Sequence, residues 1–539
     1  MSDRSLPDRP NLEQYKKQAK ELARDAGAEL PEALARFHRS HPRVRELAGS
    51  GITLTDAQLV IAREHGYPSW PAFAKQIETL RLIRALADLS DPVNTFLEVA
   101  TVDRGWHGAG GLEHAEMILA RYPEVGTANI YTAAVLGDAA GVRAQLAQDR
   151  SLATTKGGPH AWDAMTYLCF SRYMRIEQTR SAGFVAAALA LLEAGADANT
   201  GWEQSIDSPP RMVRESAIYG AAGIAQNAEL TRLLLEFGAD PNDEETPYHV
   251  AETYDNAVLK VLLDSRRLNA RSLATITVRK CDWHDDKGLA LVLASGADPN
   301  FLTVWKVTAL HQSIRRDNGL VMQQMLLDRG ADPALTNGVD GRNAFQMAAY
   351  HGRGDLLAEL ERRGFAARLN GLDALVAACA RGDLESARSI SAGEPELLTR
   401  LLAMGGTLLA RFAGPGNDAG VRCLLMLGVP ADAVWPEGDG YWELARSSTA
   451  LHVAAWRANH DVVRTLISAG TPVNAPDGRG RTALQLAVKA CTDSYWSCRR
   501  RPNSVGALLS AGADTGGIEL PTGYEDIDVL LTREKARRA

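Results

Sequence analysis

Cysteine is scarce in this chain: six residues in 539, scattered at positions 169, 281, 379, 423, 491 and 498. That is too few and too dispersed for a disulfide framework, and it fits a reducing, cytoplasmic compartment. No apolar run approaches the roughly 20 residues that a membrane helix needs, so no membrane contact is expected. The opening residues, MSDRSLPDRPNLEQYKK, are charged and lack the apolar centre of a secretory leader. Neither sign of charge dominates. Lys and Arg number 59 against 66 Asp and Glu, a net charge of −7. That balance is too mild to point to nucleic acid. Several enzyme signatures are also missing. There is no G-x-S-x-G elbow, no H-E-x-x-H pair, and no glycine-rich dinucleotide fingerprint at a strand–helix junction. The sequence therefore assigns no catalytic residue, no metal and no cofactor. What remains is 45% hydrophobic and 23% charged, the balance of a folded chain rather than a disordered one.

What is present is punctuation that recurs. Between Gly288 and Pro333 the chain reads GLALVLASGADPNFLTVWKVTALHQSIRRDNGLVMQQMLLDRGADP. Leu293 to Asn300 closes one unit, Thr308-Ala309-Leu310-His311 opens the next, and Leu326 to Pro333 closes that one. The two closing glycines, Gly296 and Gly330, lie 34 residues apart. Thr308 has the place and chemistry of a helix N-cap. Leu310 and Ile314 then share one helical face. Asp317 and Asn318 interrupt, and a second helix follows from Leu320 to Asp328. Gly330 supplies the left-handed residue after it. Such a unit cannot bury its own apolar faces and needs a neighbour on each side. The same closure recurs at Gly195, Gly238, Gly364, Gly393, Gly428, Gly470 and Gly512. One further unit, TPYHVAETYDNAVLKVLLDSRR, carries Arg266 where the glycine is expected.

This period and opening resemble ankyrin repeats. The likeness covers about 127–515. It is strongest at 288–333 and at 446–486, and weakest at 159–181 and 371–420. It implies an all-α solenoid of roughly ten or eleven helix–turn–helix units. It also implies a concave groove of short helices and extended fingers, typically used to bind proteins. A helical region, residues 1–85, precedes the array. It reads as a small bundle with helices at Asn11–Ala26, Leu30–His38 and Thr55–Glu64 and a fourth from Ser69. The pattern DAQLVIAREHGYPSW resembles a helical region that precedes ankyrin repeats in some bacterial proteins. Residues 86–126 read as a degenerate first repeat or cap, 127–533 as the array, and 534–539 as a basic tail.

Within the array, His249, His311 and His452 take the fourth place of a T-x-x-H opening, and Gln346 and Gln485 fill the same slot elsewhere. The resemblance implies a structural role, the ring tying neighbouring units by hydrogen bonds. Lys280 to Asp286 is richer, with a thiol, an imidazole and three carboxylates in seven residues. Such a set suits a metal, but its spacing matches no metal motif. The plainer reading is a turn between helices, with Asp285 or Asp286 capping the second. Trp106 to Gly111 places glycines before a helix near Leu112. It lacks both a Walker lysine and a preceding strand, and so reads as a loop. Between Cys491 and Arg501 an insertion sets three arginines beside Tyr495 and Trp496, which suits an acidic or phosphorylated ligand or a solvated loop. Trp162, Tyr167, Tyr173, Trp202, Trp435, Tyr441 and Trp442 are further candidates for a groove wall.

The groove candidates are thus Tyr248, Asp255, Asn256, Asp282, Trp283, His284, Trp305, Tyr495, Trp496 and Arg499. Tyr248, Asp255, Trp283, His284 and Trp305 are expected at the centre. The expected occupant is a protein partner. The alternative is a small molecule, bound or turned over around residues 248–256 and 280–286.

Overall fold

Local chemistry starts the first helices where the side chains demand it. Asn11 accepts the Glu13 amide proton at 2.9 Å and caps Leu12–Gly27. Pro31 occupies the first position of Pro31–Ser40. Thr53 and Asp56 form a capping box at the head of Leu54–Glu64. Trp70–Ala87 completes the set. Tyr15, Leu22, Phe37, Ile61, Phe73 and Ile77 make its core. Burial of side chains this size contributes roughly 1.5–3 kcal/mol each. In this computed structural model the described residues are 6–7, 10–42, 52–87, 89–102, 110–207, 210–365, 369–493 and 499–538. The chain divides into two compact units, 1–243 and 244–539.

In the first unit the helical bundle is followed by helix pairs. Pro92–Ala100 pairs with Glu113–Arg121, and Ile130–Leu136 with Ala139–Gln148. Beyond them the chain forms a feature that the helical reading did not anticipate. Gly201–Asp207 (β1) pairs antiparallel with Pro210–Ser216 (β2), Trp202 lying opposite Glu215. Gly201 permits the close approach, since a Cβ there would stand 2.1 Å from the Glu215 carbonyl oxygen. Trp202 stacks on Trp162 with centroids 5.3 Å apart, and both are buried.

The second unit is a run of helix pairs around one continuous core. Ala309–Arg315 and Leu320–Asp328 show the pattern. Leu310, Ile314 and Leu326 are buried at the joints with neighbours. Each unit covers the apolar face of the next, so the fold is an all-α solenoid. Gly330 closes its unit with φ +86°, and a Cβ there would meet nothing within 4 Å. Backbone conformation, not space, selects glycine at this position. Arg266 takes the same left-handed conformation, φ +55°, without being glycine.

Gly393 departs from expectation. It is the last residue of the helix Leu384–Gly393, is absent from the left-handed positions, and is followed directly by Pro395–Ala403. A helix stands where the pattern predicts a finger. The last helix, Glu525–Arg538, runs through the stretch that reads as a basic tail.

His311 and His452 do tie units together. His311 Nδ1 accepts from the Thr308 hydroxyl at 2.8 Å, and its Nε2 donates to the Leu335 carbonyl at 3.0 Å. His452 repeats this with Thr449 and Ala475. Gln485 plays a similar part, accepting from the Thr482 backbone amide at 2.9 Å and donating to the Gly516 carbonyl at 3.2 Å.

Candidate functional site

The turn between the two helices of a unit also needs a left-handed residue. Gly352, Gly382 and Gly416 serve there with φ +69°, +72° and +84°. At the equivalent turns His284 and Asp317 take it with φ +52° and +50°. Polar side chains are thus placed where those glycines present none. Histidine and aspartate are among the residues that tolerate this region best.

These turns gather around a cleft of about 570 Å³, lined by Glu252, Tyr254, Arg279, Asp282, Trp283, His284, Asp317, Gly319, Tyr441, Trp442, Arg457 and Arg499. A ladder of alternating charge forms one wall. His249 holds Glu252 at 2.9 Å and Glu245 at 3.1 Å. Arg279 pairs with Glu252 and lies 2.6 Å from Asp282. Arg316 meets the other Asp282 oxygen at 2.6 Å. Burial opposes charge on His249, but the hydrogen bonds it donates to Glu245 and Glu252 outweigh it and push its pKa up to about 9. His249 is therefore a charged rung of this ladder, not the inter-unit tie that its T-x-x-H position implies.

The opposite wall arrives from far along the chain. The segment between Val434–Trp435 (β3) and Ser448–Thr449 (β4) carries Tyr441 and Trp442 into the cleft. The Tyr441 hydroxyl donates to the Asp282 carbonyl, and Arg316 lies 3.5 Å over the Tyr441 ring. Burial pushes that hydroxyl's pKa up. Trp442 is packed 5.5 Å from His284, with the Arg457 guanidinium stacked 3.6 Å over the Trp442 ring. Burial, then Arg457 and Arg499, push the His284 pKa down to about 3, so its ring is neutral.

Three comparisons set this chain beside known proteins. A family model described as "Ankyrin repeats (many copies)" matches residues 451–493. The chain is an ankyrin-repeat protein. It is 31% identical over 84 residues to the NF-kappa-B inhibitor cactus of Drosophila yakuba, a match spanning 15% of this chain and 16% of that relative. A crystal structure of the human ASB11 ankyrin repeat domain aligns at 22% identity with a TM-score of 0.20, covering 44% of this chain and 96% of that one. Ankyrin repeats are in general protein-interaction modules. Among the described residues no helix is long and apolar enough to cross a membrane.

Several groove candidates converge within the ankyrin units. Asp282, Trp283, His284 and Arg499 all line the cleft. Tyr248 lies beneath Arg279 at 4.0 Å and touches Trp305 with centroids 6.0 Å apart. A stacked run therefore leads from Trp305 to the cleft. Asp255 and Asn256 fall elsewhere. Asp255 accepts the Ala257 amide proton at 3.0 Å and caps a helix, while buried Asn256 donates to Asp285 at 3.0 Å across two units. Tyr495 and Trp496 lie outside the described residues, as does most of the Trp106 loop.

The Lys280–Asp286 segment disperses its ligand types. Asp285 caps Asp286–Ala294 through the Gly288 amide at 2.9 Å and pairs with buried Lys280 at 2.8 Å. Cys281 points at the Ala309 carbonyl. Trp162, Tyr167, Tyr173, Trp202, Trp435 and Trp442 are all buried. Of these only Trp442 reaches the cleft.

The residues that sequence reasoning missed are Arg279, Arg316, Asp317 and Arg457. One signal was available: Asp317 stands where Gly137, Gly352, Gly382 and Gly416 stand in other units.

Proposed function

We propose that this ankyrin array binds a protein partner across two adjoining fingers, with Trp305 as the anchor. The observation that carries this reading is a concentration of exposed apolar side chains. Leu302 is 52% exposed, Val304 58%, Trp305 40% and Val339 66%. Leu302, Val304 and Trp305 share one finger and Val339 the next. The Gly338 amide donates to the Lys306 carbonyl at 2.8 Å, so the two finger tips are joined. Apolar groups exposed together on neighbouring loops mark interaction surfaces, and tryptophan is enriched among their energetic centres. The run from Trp305 through Tyr248 to Arg279 extends this surface toward the charged ladder. Five buried free cysteines fit a reducing, cytoplasmic setting.

The test uses the full chain as bait in extracts of its source cells, beside Trp305→Ala and Val339→Asp. A partner held by the wild type should be lost from both variants, Trp305→Ala costing about 2 kcal/mol or more of affinity. Both variants should melt with the wild type. If both retain the partner at full affinity, the fingers are not its site.

A further inference from the structure

The cleft beside this surface has two unmet demands. The first is at His284. Asn318 Nδ2 donates to the Cys281 carbonyl at 2.9 Å, which fixes the orientation of its amide, since a carbonyl only accepts. The same Nδ2 lies 3.0 Å from His284 Nδ1, so Nδ1 accepts and the ring proton sits on Nε2. Among the described residues that Nε2–H has no hydrogen-bond partner, although it is buried. Buried donors are almost always satisfied.

The second demand is electrostatic. Asp282 lies between Arg279 and Arg316, Glu252 between His249 and Arg279, and Asp317 faces Arg457 at 3.0 Å. Each carboxylate lining the cleft thus has its cation. Arg499, exposed at the edge, has no carboxylate partner among the described residues, and its guanidinium reaches only Asn459 Oδ1 at 3.4 Å. With charged His249 and Arg316 behind the lining, five cations (His249, Arg279, Arg316, Arg457 and Arg499) face four carboxylates (Glu245, Glu252, Asp282 and Asp317), so the network is short of one negative charge. The remaining surfaces are aromatic: Tyr254 and Trp283, 5.9 Å apart edge to face, and Tyr441 with Trp442. A volume of about 570 Å³ is that of a small-molecule site.

We propose that this cleft binds a small aromatic carboxylate, whose oxygens take the His284 Nε2–H and face Arg499 while its ring packs among Trp283, Tyr254 and Trp442. A monoanion matches the single surplus cation. A phosphate dianion would bring excess negative charge beside Asp282 and Asp317. The ring supplies the apolar contact that the walls offer and a bare anion would not use. The finger surface reaches this site only through Arg279, and neither Trp305 nor Tyr248 lines the cleft.

The test titrates the full chain with benzoate, phenylacetate and indole-3-acetate, each beside its neutral amide, up to about 10 mM. Indole Nε1–H resonances of Trp283 and Trp442 report occupancy. The expected result is saturable shifts with at least one acid and binding of its amide about tenfold weaker or less. His284→Gly keeps the turn, since glycine serves the equivalent turns, and removes the donor. Arg499→Gln removes the charge from an exposed position. Each should weaken the acid about tenfold without lowering the melting temperature. Phenyl phosphate should bind more weakly than benzoate. The proposal is overturned if no acid shifts the indoles, if acid and amide bind alike, or if Arg499→Gln binds as the wild type does. Trp305→Ala should leave this binding intact, so loss of partner docking and loss of the acid site are read separately.

Discussion

Arg457 and Asp317 stand 140 residues apart in the chain and 3.0 Å apart in the fold, both almost wholly buried. Each sits at the turn between the helices of its ankyrin unit. The second compact unit therefore brings turns of non-neighbouring repeats together, and the cleft lies at that meeting. Burial lifts the Asp317 carboxyl above its ordinary range even with Arg457 beside it.

This pair should be more costly to break than to lack. Arg457→Ala leaves a buried carboxylate without its cation and removes the stacking on Trp442. A loss of about 3 kcal/mol is expected, read from the urea midpoint of the full chain. Adding Asp317→Ala should restore part of it, because neighbours in one network are not additive. Equal and additive losses would show that the pair does not couple these turns.

His249 should make the array less stable as pH rises. Its ordinary value of 6.5 is raised to about 9 by Glu245 and Glu252 against the cost of burial. Its contribution is complete below about 6.5 and is lost as pH climbs through about 9. Wild type minus His249→Gln should decline by about 2 kcal/mol over that window, the partial exposure of the ring discounting the full shift. A flat difference would remove the charged imidazole from the ladder.

His284 should behave in the opposite sense. Burial, then Arg457 and Arg499, lower its pKa from 6.5 to about 3. A lowered histidine gives stability that is present above about 6.5 and is lost as pH falls toward the folded value. Imidazole resonances should show His284 neutral at pH 5 while His249 is still charged. The stability of wild type relative to His284→Asn should fall as pH drops below 6.5, since asparagine tolerates the turn and does not titrate. A His284 that titrates near 6.5 would contradict the cationic surroundings described here.

Fold and site were not equally legible. Helix pairs announce themselves through closing glycines and T-x-L-H openings, because both are local demands of the backbone. Gly393 misled because its Leu and Gly spacing fits a closure, yet Pro395 starts a helix at once. The β1–β2 hairpin escaped because Trp202 reads equally as a groove aromatic. Tyr248, Trp283, His284 and Trp305 stood out as departures from the repeat that core packing did not require. Asp255 and Asn256 departed too, but as caps and ties. Tyr441 and Asp282, 159 residues apart, could not be paired from sequence. The segment between β3 and β4 reaches across to Asp282, and nothing local in either stretch encodes that contact.

Two glycines offer a clean separation of backbone conformation from space. Gly330 has φ +86° with nothing within 4 Å of where a Cβ would be, whereas Gly352 has φ +69° and a Cβ would lie 2.6 Å from the Phe412 ring and 2.8 Å from its Cα. Gly330→Ala should cost only the left-handed penalty, about 1–2 kcal/mol. Gly352→Ala should add about 1–3 kcal/mol more, because the backbone of Phe412 has to move as well. Phe412 is fully buried, so the displaced ring has no space to occupy. Chemical denaturation of both variants against the wild type reads the difference. If Gly330→Ala proves as damaging as Gly352→Ala, the closing turn is held by more than its backbone angle.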